Sequence, residues 1–158
     1  MYGKKLLASC NFISVHTPFG TITIFGNTAY VLSVTWGRYK GGSNTSLLLE
    51  AKAQLMAYFH KRLKSFDLPL NPKGTAFQKL VWKNISQIPF GQTSTYGTLS
   101  RAIQSSPRAI GGACKKNPIP IFIPCHRVVG RKRSLIGYSG GVGVKTKIQL
   151  LKLEDYPS

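Results

Sequence analysis

Residues 96–116 read Tyr96-Gly97-Thr98-Leu99-Ser100-Arg101-Ala102-Ile103-Gln104-Ser105-Ser106-Pro107-Arg108-Ala109-Ile110-Gly111-Gly112-Ala113-Cys114-Lys115-Lys116, and the architecture turns on them. A short helix fits Tyr96 to Ile103. Ser105-Ser106-Pro107 then supplies an N-cap candidate and a proline at the first helical position for a second helix from Arg108 to Lys116. Two short helices across a tight turn make a helix-turn-helix. The second is odd as a core helix, since Gly111 and Gly112 each cost about 1 kcal/mol relative to alanine. Ala109, Gly112 and Ala113 leave a slim face suited to a narrow groove of DNA, with Arg108, Lys115 and Lys116 placed for phosphates. Tight helix packing inside the protein is the alternative reading.

Working upstream, Thr75-Ala76-Phe77-Gln78 has the spacing of a capping box, and Phe77, Leu80, Val81 and Ile85 fall on one face of the helix it starts. Ile88-Pro89-Phe90-Gly91 ends that helix. Before it, Leu68-Pro69-Leu70-Asn71-Pro72-Lys73-Gly74 cannot continue a helix and reads as a link between two parts. From Thr45 to Phe66, Leu48, Ala51, Leu55, Tyr58 and Phe59 recur at helical spacing. Earlier still, Thr21–Phe25 and Ala29–Val34 alternate around Gly26-Asn27 as a β-hairpin, and Leu6 to Val15 adds a third strand through the Thr17-Pro18-Phe19-Gly20 turn. The expected class is α+β (α/β). A small antiparallel sheet covered by a helix occupies residues 1–72, and a mostly helical part with the helix-turn-helix occupies 73–158.

Charge narrows the partner. The chain carries 22 Lys and Arg against 4 Asp and Glu, a formal net charge of +18. A polyanion is implied, and nucleic acid leads because many basic groups gain affinity through counterion release; an anionic membrane surface or an acidic protein is the alternative. No apolar stretch approaches the ~20 residues needed to span a bilayer. Lys4-Lys5-Leu6-Leu7-Ala8-Ser9-Cys10 is too short in its apolar part for an export signal, so a cytoplasmic protein is expected. Cys10, Cys114 and Cys125 form no Cys-x-x-Cys pair, which disfavours a disulfide framework and predicts reduced thiols. Cys10 and His16 have no matching second pair of ligands, so no metal is expected.

Asn117-Pro118-Ile119-Pro120-Ile121-Phe122-Ile123-Pro124 is apolar and stiffened by three prolines, and it leads directly into Cys125-His126-Arg127. Free cysteine is mostly protonated at neutral pH, so a nucleophilic role for Cys125 needs a base or a positive field, which His126 and Arg127 can supply. Neighbouring side chains in an extended chain point apart, so the two meet only if the backbone turns there. Leu150, Leu151 and Glu154 share one side of a final helix from about Val144, turning Glu154 inward as a candidate partner for His126. The alternatives are a buried structural cysteine and a terminal carboxylate paired with any nearby lysine. Between these segments, residues 130–141 form a basic, glycine-rich loop whose tyrosine, serine and glycines suit hydrogen bonding to a flat polar group such as a base.

The set Asn117-Pro118, Pro124-Cys125-His126-Arg127-Val128 and Tyr138-Ser139-Gly140-Gly141 resembles the methylated-DNA–protein-cysteine methyltransferases. The resemblance spans roughly residues 73 to 155 and includes Pro89-Phe90-Gly91, Tyr96 and Arg108-Ala109-Ile110-Gly111-Gly112. The first part is similar to the family's ribonuclease H-like N-terminal domain only in its strand pattern. The resemblance implies a cofactor-free, single-turnover DNA repair protein, which explains why no cofactor motif is present: it takes the alkyl group from O6 of guanine, with O4-methylthymine a further substrate candidate, onto Cys125. It implies a monomer bound in the minor groove of double-stranded DNA, with Arg108 filling the space left by a flipped-out nucleotide and Ala109, Gly112, Lys115, Lys116 and Arg127 also at the DNA. His126 would take the thiol proton through a water, Glu154 would orient His126, and Asn117 would brace the turn. Tyr96, Val128, Tyr138 and Ser139 would hold the base, with Tyr96 donating to O6. Cys10 and His16 do not reproduce the zinc set of some members, while Cys125 separates the chain from alkyltransferase-like proteins that lack this cysteine. Two other classes remain at this point: a helix-turn-helix module that binds DNA or a lesion without chemistry, and a cysteine hydrolase.

Overall fold

The computed structural model describes residues 11–157, which form two compact units, one up to Pro72 and one from Lys73.

In the first unit β1 (Asn11–Thr17), β2 (Gly20–Gly26) and β3 (Val31–Trp36) form an antiparallel sheet in the order β1-β2-β3. Val15 pairs with Ile22, Ile13 with Ile24, and Ile24 with Val34. The period-2 pattern therefore puts all five on one face, where they are buried. Helix α1 (Ser46–Phe59), capped by the Thr45 side chain, packs on the sheet through Leu48, Ala51, Leu55, Tyr58 and Phe59. The opposite face gathers Phe12 and Phe25, with ring centroids 5.4 Å apart, under Tyr39.

The expected continuation of α1 to Phe66 does not form. Lys61 takes the left-handed conformation (φ 58°), and the amides of Lys61 and Arg62 turn back to the carbonyls of Tyr58 and Ala57, as in a Schellman stop. Phe66 then folds back on Tyr58 with a centroid distance of 5.3 Å. The segment expected to link the two parts runs beside β3, since the Val31 amide donates to Pro69 and the Asn71 amide to Val31. The part of the first predicted strand that precedes Asn11, with Cys10, lies outside the described residues.

The second unit begins with α2 (Ala76–Ile85), and both halves of the Thr75–Gln78 capping box are made. Its buried face differs from the expected one. Val81, Trp82 and Ile85 are inside, whereas Phe77 and Leu80 are 37% and 45% exposed. Trp82 sets the rotation: its bulk is buried and its indole N–H donates to the Ala113 carbonyl at 2.9 Å, which turns the flanking Phe77 and Leu80 outward.

Next come α3 (Tyr96–Ala102) and α4 (Pro107–Lys115), which pack on each other with α2 behind them. Thr95 caps α3 and Ser106 caps α4, with Pro107 at the first turn. The two-residue strands β4 (Ser94–Thr95) and β5 (Val128–Val129) pair in parallel, tying the start of α3 to the segment after Cys125. Helix α5 (Val144–Leu153) closes the unit and buries Thr146, Lys147, Leu150 and Leu151, with the buried Glu154 at its C-cap.

Candidate active site

Cys125 is delivered by a short apolar loop that leaves its backbone little freedom. Ile121 holds φ at 74°, a left-handed conformation costing a β-branched residue on the order of 1–3 kcal/mol. Pro124 forms an inverse γ-turn (φ −83°, ψ 64°), with the Cys125 amide donating to the Ile123 carbonyl at 2.8 Å. Asn117 clamps this loop from inside. Its Oδ1 accepts from the Ile119 amide at 3.0 Å, and its Nδ2 donates to the Ile123 carbonyl at 3.0 Å and to Cys125 Sγ at 3.1 Å. The strain is thus fixed by polar groups whose last donor points at the sulfur.

At Cys125–Arg127 the chain makes one 3-10 turn, so the backbone does bend where the Cys-His pair requires it. His126 is fully buried, and its Nε2 meets Glu154 Oε1 at 2.7 Å. Glu154 also receives Arg127, with Nη2 2.8 Å from Oε1 and Nε 3.0 Å from Oε2. Burial alone would raise the Glu154 pKa, but hydrogen bonds from His126 and Arg127 outweigh it and draw the carboxyl down from 4.5 to about 2. Burial lowers the His126 pKa more than Glu154 raises it. A neutral imidazole beside a carboxylate carries its proton on Nε2, leaving a lone pair on Nδ1, which makes no protein hydrogen bond among the described residues.

Arg127 corrects an expectation. It was placed at the DNA, yet it is 6% exposed, paired with Glu154, and donates through Nη1 to the Ile88 carbonyl at 2.7 Å. Its guanidinium is buried and held by Glu154 and the Ile88 carbonyl inside the unit, so it does not face a phosphate outside.

Two groups near the sulfur were not foreseen as participants. Lys147 is fully buried, with Nζ held by the carbonyls of Val128 and Ile136. Its ammonium lies 5.7 Å from the centroid of the Tyr96 ring. Burial pulls its pKa down to about 8 against the influence of Cys114 and Cys125, leaving it protonated at neutral pH. Cys114, buried in the last turn of α4, is the strongest influence on the Cys125 thiol. That influence and then burial push the Cys125 thiol well above the ordinary cysteine range, against the Asn117 amide and Lys147. The same pairing draws Cys114 down, with burial opposing and Lys147 assisting. A Cys125 thiol that keeps its proton at rest needs a base at the moment of attack.

Beside this cluster opens a cleft of about 770 Å³, lined among others by Tyr96, Arg108, Gly112, Lys115, Lys132 and Gly137. Tyr96 donates from its hydroxyl to the Ile136 carbonyl at 3.2 Å. Burial, then the two thiols, raises its pKa, so it remains a donor at neutral pH. Arg108, Lys115 and Lys116 are exposed, and Ala109 is half-buried. Gly112 is exposed, and a Cβ there would meet nothing within 4 Å, so internal packing does not explain this glycine. Val128 is fully buried and Ser139 exposed, while the Tyr138 hydroxyl is buried without a hydrogen bond. Among the described residues no group of three or more His, Cys, Asp or Glu gathers to hold a metal, and no helix is long and apolar enough to cross a membrane.

Residues 76–156 match the family model of the 6-O-methylguanine DNA methyltransferase DNA-binding domain, and residues 11–72 match that of its ribonuclease-like domain. The chain belongs to this family. Its relatives include the methylated-DNA–protein-cysteine methyltransferase of Methanosarcina barkeri, 40% identical over 151 residues that cover 89% of this chain and 94% of the relative. The protein of the same name from Methanosarcina mazei is 47% identical over 114 residues, 71% of each chain. Among solved structures, that of Mycobacterium tuberculosis OGT in complex with DNA superposes with a TM-score of 0.83 at 35% identity, covering 94% of this chain and 96% of the other.

Within this methyltransferase family fold, the structure brings together Cys125, His126, Glu154 and Asn117 from three separate segments. Tyr96, Arg108, Gly112 and Lys115 line the adjoining cleft. Lys147 was missed although its signal was present. It lies three residues before Leu150 and four before Leu151, on the same face that singled out Glu154, but a lysine there reads as solvated. Arg127 was misassigned because sequence spacing does not show that one buried carboxylate takes both His126 and Arg127.

Proposed function

We propose that this chain repairs alkylated DNA by moving the alkyl group from O6 of guanine to Cys125 Sγ, once per molecule. The observation carrying the proposal is the buried His126–Glu154 pair set directly after a clamped thiol. Glu154 holds Nε2–H and leaves Nδ1 as the acceptor, so the Cys125 proton passes to Nδ1 through one water. The thiolate attacks the alkyl carbon in line, the C–O6 bond breaks with its electron pair on oxygen, and Tyr96 donates a hydrogen bond or proton there. Guanine leaves intact and a thioether remains, which no group in the site is placed to hydrolyse. Lys147 supplies a fixed positive charge near the sulfur, favouring the thiolate as it forms.

The reaction takes place on double-stranded DNA. The slim face of α4 approaches the minor groove, and Arg108 occupies the stack vacated by the flipped base, which then reaches the sulfur; Val128, Tyr138 and Ser139 surround it. The repair protein acts as a monomer in the cytoplasm, where thiols stay reduced. The test is intact mass after incubation with duplex DNA carrying one O6-methylguanine. One added methyl group per protein, mapped to Cys125 and never exceeding one, is the expected result; binding with no mass change would instead identify a lesion-binding module.

Two further outcomes follow from α4. Arg108→Ala should slow transfer from duplex DNA at least about tenfold while leaving reaction with a free O6-alkylguanine base nearly unchanged, because base extrusion costs a few kcal/mol only in the duplex. Equal slowing of both would remove its role in flipping. Gly112→Ala should raise helix stability by about 1 kcal/mol, since the methyl group meets nothing, yet weaken duplex binding by crowding the groove. Calorimetry and a binding titration on the same sample check the opposite signs.

A further inference from the structure

We propose that Cys114 and Cys125 form a reversible disulfide under hydroperoxide stress, protecting the acceptor sulfur at the cost of temporarily removing it from use.

The site is built from one turn of chain. Cys114 lies in the last turn of α4, and its carbonyl accepts the Asn117 amide at 3.2 Å. Asn117 in turn donates from Nδ2 to Cys125 Sγ at 3.1 Å. One residue therefore joins the backbone of the first cysteine to the sulfur of the second. Both side chains are buried, at 6% and 4% exposure, and each thiol is the strongest influence on the other's protonation. The buried Lys147 ammonium lowers the pKa of both thiols, which favours one thiolate in the pair.

The steps balance with a hydroperoxide as the oxidant. One thiolate attacks the peroxide oxygen, the O–O bond breaks, and a sulfenic acid forms as water or an alcohol leaves. The second thiol attacks the sulfenic sulfur, forming the S–S bond and releasing water. A dithiol reductant reverses the bridge by exchange, becoming oxidised itself. Without a neighbouring thiol, the sulfenic acid at Cys125 continues to sulfinic acid, which a dithiol does not reduce. In a protein used once, such a loss removes the whole molecule from the repair pool.

The inference goes beyond the alkyl-transfer reading and is measured without DNA, so the two can fail separately. The full chain, fully reduced, is treated with hydrogen peroxide and followed by intact mass and non-reducing peptide mapping, with Cys10→Ser in every sample to remove the third thiol. The expected result is loss of two hydrogens, a peptide joining Cys114 to Cys125, and return of the original mass with dithiothreitol. In the added Cys114→Ser variant the bridge is absent, and irreversible oxygen addition at Cys125 rises at least about tenfold. A circular dichroism spectrum of each variant separates loss of the bridge from loss of the fold. Failure of the joined peptide to form, or equal irreversible oxidation of Cys125 with and without Cys114, overturns the proposal.

Discussion

A Cys125→Ser variant is expected to fold, bind O6-methylguanine duplex DNA, and transfer nothing measurable, a loss of at least about 10³-fold in rate. The exchange keeps the shape of the side chain, and Asn117 Nδ2, now 3.1 Å from sulfur, retains an acceptor in the hydroxyl oxygen. A buried hydroxyl with a donor in place costs little, so the melting temperature should move only slightly. The chemistry does not survive because a neutral imidazole cannot give a serine oxygen the nucleophilicity of a thiolate. DNA affinity should persist, since the exposed cations and the slim face of α4 are untouched. Intact mass and a gel-shift titration on one preparation test both halves. A variant that still gains the methyl group would move the acceptor elsewhere, with Cys114 the first residue to examine.

Glu154→Gln should be the most damaging single change to stability, and it should lower reactivity as well. One carboxylate serves two buried partners, His126 at 2.7 Å and Arg127 at 2.8 Å. Neutralising it leaves a buried guanidinium without its counter-charge, which typically costs 3–5 kcal/mol, so a fall of about 3 kcal/mol in unfolding free energy is expected. The pKa shift gives a similar size. A carboxyl lowered from 4.5 to about 2 contributes about 3 kcal/mol of stability that is fully present above pH 4.5. This contribution is lost as pH falls from 4.5 toward 2, because the unfolded chain takes up the proton first. Denaturant titrations should therefore show the wild type losing stability through that window and the variant lacking this part of the slope. Transfer should also slow by about 10²-fold or more, since His126 loses the charged acceptor that fixes its tautomer and stabilises the imidazolium. Unchanged transfer would dismiss Glu154 from the mechanism and leave it a structural counter-ion of Arg127.

Much of this architecture follows from local rules that residues carry with them. The hairpin pattern around Gly26-Asn27, the Thr75–Gln78 capping box, and Ser106-Pro107 at the start of α4 each specify a strand pair or helix start through groups a few residues apart. The spacing of Leu150, Leu151 and Glu154 likewise turned one carboxylate inward, because a helix repeats every 3.6 residues. The motif around Cys125 singled out the thiol for the same reason, since its prolines and its His-Arg neighbours are contiguous.

What tertiary structure decided involves residues that meet only after folding. Nothing near Trp82 announces that Ala113 will take its indole proton, so the rotation of α2, with Phe77 and Leu80 outside, was not legible. Arg127 belongs to Glu154 rather than to a phosphate because α5 brings a carboxylate to it from 27 positions away. Lys147 is buried because two carbonyls, at Val128 and Ile136, replace its water. Cys125 is tied to the end of α4, where Cys114 lies, because Asn117 bonds both the Cys114 carbonyl and the Cys125 sulfur. Sequence therefore determined the elements and the identity of the reactive sulfur, through interactions of a turn or less. Which groups share a charge, a proton or a bond with that sulfur was set by contacts that exist only once the unit has closed.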